Sequence, residues 1–174
     1  GKMNENHFMS NEQHSIDSTS AHNNMASIDK INKECCCFNL RKVSRAITQY
    51  YDHALDSSGL RITQFTLLVA LASTKAKTLT EIAESLVMDR TTLTRNLKPL
   101  EKMELISTVP SIDRRSKAYA LTDKGREVFQ KAFPHWEKAQ NNMVKILGDE
   151  KYASIMADLD NLLELSQYPK DFDN

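Results

Sequence analysis

The chain has 174 residues, 40% of them hydrophobic and 26% charged, with 23 basic side chains against 23 acidic ones, which allows one domain or one domain with an arm for self-association. No apolar run approaches the roughly 20 residues of a membrane span and no charged-then-apolar leader is visible, so the reading is a cytoplasmic protein with no membrane partner. The neutral total hides a segregation: residues 75–126 carry eleven Lys and Arg against seven Asp and Glu, and 127–174 carry five against nine, so the basic middle points to an anionic partner.

Residues 1–31 are rich in Asn, Ser and His, with few aliphatics and no period, and read as a flexible leader. His7, His14 and His22 fit no metal-site spacing, and neither a metal nor a cofactor is expected. Cys35, Cys36 and Cys37 follow. Neighbouring cysteines on one helix cannot meet ordinary disulfide geometry and no other cysteine exists to pair with them, which suits a reducing compartment.

From about 32 to 56, Leu40, Val43, Ile47, Tyr50, Tyr51 and Ala54 make a helical stripe, ended by Ser57-Ser58-Gly59. A second helix over about 62–73 presents Phe65, Leu68, Val69 and Ala72, and Lys75-Ala76-Lys77 reads as a polar connection. Thr78 and Glu81 then have the spacing of a capping box, opening a short helix through Leu86. After a break at Val87-Met88, Asp89 can cap another helix over 90–101, with Leu93, Leu97 and Leu100 as its apolar side and Pro99 as a late kink. Leu105 to Val109 reads as a strand, Pro110 to Ser116 as a turn and Lys117 to Leu121 as the return strand. Two long helices close the chain. One, over about 123–147, presents Phe129, Ala132, Phe133, Trp136, Ala139, Met143 and Ile146. The other, over about 149–167, presents Tyr152, Ile155, Met156, Leu159, Leu162 and Leu163.

Two short helices, a tight turn and a basic hairpin form the layout of a winged helix-turn-helix. The second short helix is slim and polar on one side, so it can enter a major groove about 12 Å wide. Its Arg and Lys supply phosphate contacts, and the hairpin's Arg114, Arg115 and Lys117 can reach an adjacent minor groove. The plainer reading of Thr80, Thr92 and Thr94 is a solvated or capping hydroxyl, and that of Tyr50, His53, Phe65, Phe133 and Trp136 is packing or surface.

These segments, in this order and spacing, resemble the MarR family (multiple antibiotic resistance regulators) over roughly residues 35–165. They are Ile62-Thr63-Gln64-Phe65; Leu79-Thr80-Glu81-Ile82-Ala83-Glu84-Ser85-Leu86; Met88-Asp89-Arg90-Thr91-Thr92-Leu93-Thr94-Arg95; Asp113-Arg114-Arg115-Ser116-Lys117; and Leu121-Thr122-Asp123-Lys124-Gly125. The resemblance implies a mostly α fold with a small β-wing. A winged helix-turn-helix lobe would span 62–122, within a domain over 32–168. Helices over 32–58 and 123–168 would form a dimerisation base, and 169–174 a tail. It implies a bacterial homodimer whose two lobes grip a pseudo-palindromic operator in double-stranded DNA, acting as a repressor. The DNA-facing residues would be Thr80, Arg90, Thr91, Thr92, Thr94, Arg95, Lys98, Asp113, Arg114, Arg115 and Lys117, with Asp113 orienting the wing arginines by ion pairing and Arg115 as the minor-groove finger. Two positions depart from the family pattern, which usually has glycine at the junction now held by Met103-Glu104-Leu105 and often at the turn position of Val87. A non-glycine residue in a left-handed conformation costs roughly 1 kcal/mol.

Two modes of control follow from the resemblance. Cys37-Phe38-Asn39-Leu40 is similar to the Cys-Phe-x-Leu start of the first helix in the family's organic-hydroperoxide sensors, which makes Cys37 a candidate redox sensor; a small packed hydrophobe is the alternative. Tyr50 and Tyr51 lie about 20 Å further along the same helix and cannot serve Cys37 within their own chain unless the fold brings another segment close; across a dimer they can. The other mode is a small-molecule effector held by Tyr50, His53, Phe65, Phe133 and Trp136. Outside regulation, a winged-helix protein-interaction module without DNA binding is the alternative, though it has no need of a basic wing. No Ser/His/Asp or Cys/His set and no phosphate-cradling glycine loop suggests an enzyme.

Overall fold

The computed structural model describes residues 13–72, 75–113 and 115–167 and divides the chain into two units, 1–47 and 48–174. It is mostly helical with one small antiparallel sheet. Among the described residues no helix is long and apolar enough to cross a membrane.

The first unit departs from the flexible leader read over 1–31. Helix α1 spans Gln13–Glu34; residues 1–12, including His7, lie outside the described part. No glycine or proline interrupts 13–34, and Met25, Ile28 and Ile31 recur at helical spacing, a stripe diluted by the surrounding Asn and Ser. All three are exposed. Helix α2, Cys36–Leu55, begins after a break at Cys35. The Cys35 Sγ accepts the Phe38 N–H at 3.4 Å, as an N-cap oxygen would. The Asn39 side-chain amide donates to the carbonyl of Asn32, a group that a helix end leaves open, and adds a second bond to the Cys35 carbonyl, which already accepts the Asn39 N–H. The single helix expected over 32–56 is therefore two, joined at Cys35.

In the second unit, Gly59 (φ 76) ends the turn after α2, where a left-handed conformation suits a residue without Cβ. Helix α3, Ile62–Leu71, is capped by Asp52, whose Oδ1 accepts the Ile62 N–H at 2.7 Å. Strand β1, Lys77–Thr78, precedes α4, Leu79–Ser85, and α5, Arg90–Lys102. Strands β2, Ile106–Val109, and β3, Ala118–Leu121, form a hairpin in which Ile106 pairs with Leu121 and Val109 with Ala118. β1 pairs on the far side of β3, Lys77 with Tyr119, so the sheet order is β1-β3-β2. The polar connection expected at 75–77 thus ends in a strand. Two residues cannot display the period-2 alternation that reveals a strand in sequence.

Helix α6, Asp123–Leu147, runs without a break past Pro134, an exposed position where the missing donor leaves a carbonyl open to water. Gly148 separates it from α7, Asp149–Leu163. The core gathers the apolar sides of α3, α4 and α5 with the sheet: Leu68, Leu71, Ile82, Leu93, Leu97, Leu100 and Leu105 are fully buried. That core fixes which side of α5 faces outward.

Candidate nucleic-acid interface

α4 starts with the expected capping box. Thr78 Oγ1 accepts the Glu81 N–H, and Glu81 Oε2 accepts the Thr78 N–H at 2.7 Å. The backbone bond from Thr78 holds the Glu81 carboxyl below its ordinary range, with the Thr78 side chain adding to it. Thr80 is exposed in this first turn. α4 ends in a Schellman motif, the Met88 N–H reaching Ala83 O and the Val87 N–H reaching Glu84 O, with Val87 left-handed at φ 52.

Asp89 caps α5 with both carboxylate oxygens: Oδ1 accepts the Thr92 N–H at 2.8 Å and Oδ2 the Thr92 hydroxyl at 2.6 Å. The Thr92 side-chain bond and then its backbone bond hold the Asp89 carboxyl low. Leu93, Leu97 and Leu100 are buried, so at about 100° per residue the opposite side of α5 carries Thr91, Arg95, Lys98 and Lys102. All four are exposed, as is Arg90. Thr94 donates its hydroxyl to Arg90 O at 2.8 Å. The protons of Thr92 and Thr94 are therefore committed, and those two hydroxyls can only accept from an incoming group. Lys102 lies one residue beyond the helix end expected at Glu101, and its spacing from Lys98 and Arg95, four and seven residues, puts it on the same side.

The wing loop is drawn tight by Asp113. Its Oδ1 accepts the Arg115 N–H at 3.0 Å, and its carbonyl accepts the N–H and the hydroxyl of Ser116. This corrects the expected ion pairing as far as Arg115 is concerned. An aspartate in a turn bonds the backbone two residues on more readily than a side chain that points outward. Arg114 lies outside the described residues. Arg115 and Lys117 are exposed. Among the described residues the ion pairs are Lys124–Glu104 and Lys131–Glu127, so Arg90, Arg95, Lys98, Lys102, Arg115 and Lys117 all keep their charge unpaired.

The end of α5, the start of β2 and the start of α6 meet at one junction. α5 also ends in a Schellman motif, with Leu105 N–H to Leu100 O, Glu104 N–H to Glu101 O, and Glu104 left-handed at φ 62. The Thr122 hydroxyl donates to Glu104 O at 2.6 Å and accepts the Gly125 N–H at 3.0 Å. A Cβ at Gly125 would stand 2.0 Å from Leu105 O, so only glycine lets α6 start this close to the strand.

The candidate pocket residues are only partly brought together. Phe65 is buried and stacks on Phe129 (5.1 Å between centroids) and Trp136 (6.1 Å), while Phe133 lies 5.6 Å from Trp136. Tyr50 donates to Ala139 O at 3.0 Å. Tyr51, which was not singled out for a pocket, donates to Gln140, and Gln140 donates to Tyr152. Burial, and then the neighbouring Tyr152 and Tyr50, push the Tyr51 hydroxyl up from its ordinary value. His53 lines a separate open cleft with Asp52, Asp56, Gly59, Leu60 and Arg61, away from the stacked rings. In the first unit, Cys37 and Cys36 are exposed and Cys35 is half-buried. Among the described residues no cluster of His, Cys, Asp and Glu could hold a metal ion.

A capped helix pair, a tight turn, an outward cationic helix side and a hairpin held to a third strand define a winged helix-turn-helix protein. Residues 60–117 match the family model described as MarR family. Among solved structures, the transcriptional regulator MosR of M. tuberculosis, crystallised in complex with DNA, is 35% identical, covering 77% of this chain and 97% of that one, with a TM-score of 0.70. The organic hydroperoxide resistance transcriptional regulator of Bacillus subtilis is 34% identical over 55% of this chain, and the HTH-type transcriptional regulator SarZ of Staphylococcus epidermidis 30% identical over 53%. The matches span 66% and 63% of the lengths of these two curated relatives, just under two thirds. The chain belongs to the MarR family, a family of transcription regulators and not of enzymes.

Proposed function

We propose that this protein is a homodimeric repressor that binds a pseudo-palindromic operator in double-stranded DNA. The observation that carries the reading is the outward side of α5, where Thr91, Arg95, Lys98 and Lys102 stand exposed and, among the described residues, no carboxylate pairs with the three cations. Unpaired cations on a slim helix release counterions from phosphates, and the hydroxyls and amides between them bond to base edges. Arg115, on a loop fixed by Asp113, supplies the minor-groove contact, with Arg114 and Lys117 from the same hairpin sequence, while Arg90, Thr92 and Thr94 add contacts from α5. A protein-interaction module would have no use for this charge. The complex of MosR with DNA supports the same reading. The test is selection of random duplexes on the purified protein. Recovery of one sequence with two related half-sites is the expected result, and recovery of an unbiased pool contradicts it.

Control by oxidation at Cys37 is favoured over an effector pocket. Cys37 is exposed, whereas Phe65 is buried in a ring stack and the Tyr50 hydroxyl is already bonded. The thiolate attacks one oxygen of an organic hydroperoxide, the O–O bond breaks, and a sulfenate forms while the alkoxide leaves as alcohol after taking a proton. Such a change acts only through a difference between the DNA-competent state and another state. Peroxide should lower operator affinity of the wild type and leave Cys37→Ser unaffected. Equal loss in both would remove Cys37 from the mechanism.

A further inference from the structure

The two left-handed helix ends flank the recognition helix, and only one of them has a use inside the lobe. At Glu104 the carbonyl accepts the Thr122 hydroxyl and the carboxylate lies 3.6 Å from Lys124 Nζ. Among the described residues Val87 has no such partner. Its neighbours Leu86 and Met88 both pack against the core, while Val87 is 59% exposed. A β-branched side chain is the type least suited to positive φ. The helix end needs only the backbone bonds from Val87 and Met88, which glycine would make without strain. Strain of this kind persists where the side chain is used.

We infer that Val87 is a DNA-contacting residue: its isopropyl group packs on the apolar surface of the duplex at the mouth of the major groove. It lies three positions before Arg90 at the start of α5, at most about 10 Å of chain. The N-terminal residues of a recognition helix are the ones that approach base edges. Two groups there offer apolar surface, the thymine methyl and the deoxyribose face. The inference rests on the DNA-binding reading above.

The test compares wild type with Val87→Gly, Val87→Asn and Val87→Leu, measuring Tm and affinity for a duplex recovered by the selection. Glycine and asparagine both tolerate positive φ, so both variants should melt about 2–4 °C higher. Both should also bind at least about fivefold more weakly, having lost the apolar group. Val87→Leu keeps that group and should bind like wild type. Opposite signs in stability and affinity are what a purely structural residue would not give. Replacing thymine by uracil in the duplex identifies the surface: a loss in wild type but not in Val87→Gly assigns the methyl, and no loss in either assigns the deoxyribose. The inference is overturned if Val87→Gly is more stable and binds as tightly as wild type, or if its Tm does not rise. If wild type recovers no duplex, the DNA-binding reading itself has failed, and this one with it.

Discussion

Asp89 holds the first turn of α5 through two bonds to Thr92, and those bonds place its folded pKa below the ordinary 3.8. A carboxyl depressed in the folded state contributes stability fully above its unfolded value and loses it as pH falls through the folded one. Asp89→Asn still caps but does not titrate. The Tm advantage of wild type over this variant should therefore shrink as pH falls from about 5 to about 3, as thermal melts would record; a constant difference contradicts the assignment. Glu81 acts in the same sense from its ordinary 4.5. At the α5 end, Glu104→Gly removes left-handed strain of about 1 kcal/mol and gives up an exposed ion pair worth less than that, so it should stabilise. Gly125→Ala, one junction away, drives a Cβ into the Leu105 carbonyl and should cost about 1–3 kcal/mol in urea unfolding. Capping residues were legible in sequence because Thr78, Glu81, Asp89 and Gly59 announce themselves by spacing. The glycine-poor positions Val87 and Glu104 were legible too, as departures from the family pattern. The bond of Asp113 to the Arg115 backbone was not, since an aspartate beside arginines invites an ion pair on paper.

At the scale of elements, α3 to α6 were readable from apolar periodicity and caps, because each buries one side in a shared core. β1 was hidden by its length, and α1 by an Asn- and Ser-rich composition that masks a helical stripe. The candidate site was legible where it rides on those periodic helices, as with Arg95 and Lys98. It was lost where it depends on tertiary placement: His53 and the ring stack share a list in sequence but not a pocket in space. On the DNA side, Lys98→Ala and Lys102→Ala should each weaken all duplexes alike and reduce the salt slope by about one. Arg115→Ala should cost about 1–3 kcal/mol and relax preference where the wing reads the groove. Binding isotherms across salt concentrations separate the two behaviours. Unchanged affinity in all three variants would misplace the DNA face.

At the scale of the molecule, large apolar side chains stand exposed in both units. Ile155, Met156, Leu159, Leu162 and Leu163 are exposed along α7, and Phe38, Leu40, Val43 and Ile47 are exposed in the first unit. Exposed apolar side chains of this kind mark an interface, and in the homodimer proposed above a second copy related by a twofold axis would cover them over more than about 2,000 Å² in all. Trp136, by contrast, packs against the lobe core through Phe65. Leu159→Glu should shift the protein to monomer in sedimentation and lower operator affinity with it. A duplex footprint with measured stoichiometry tests the central claim most directly. The account predicts two chains per duplex, two protected major-groove segments about 10 base pairs apart around a dyad, and minor-groove protection beside each. One chain per duplex on a single protected groove, or no protection at all, would contradict it.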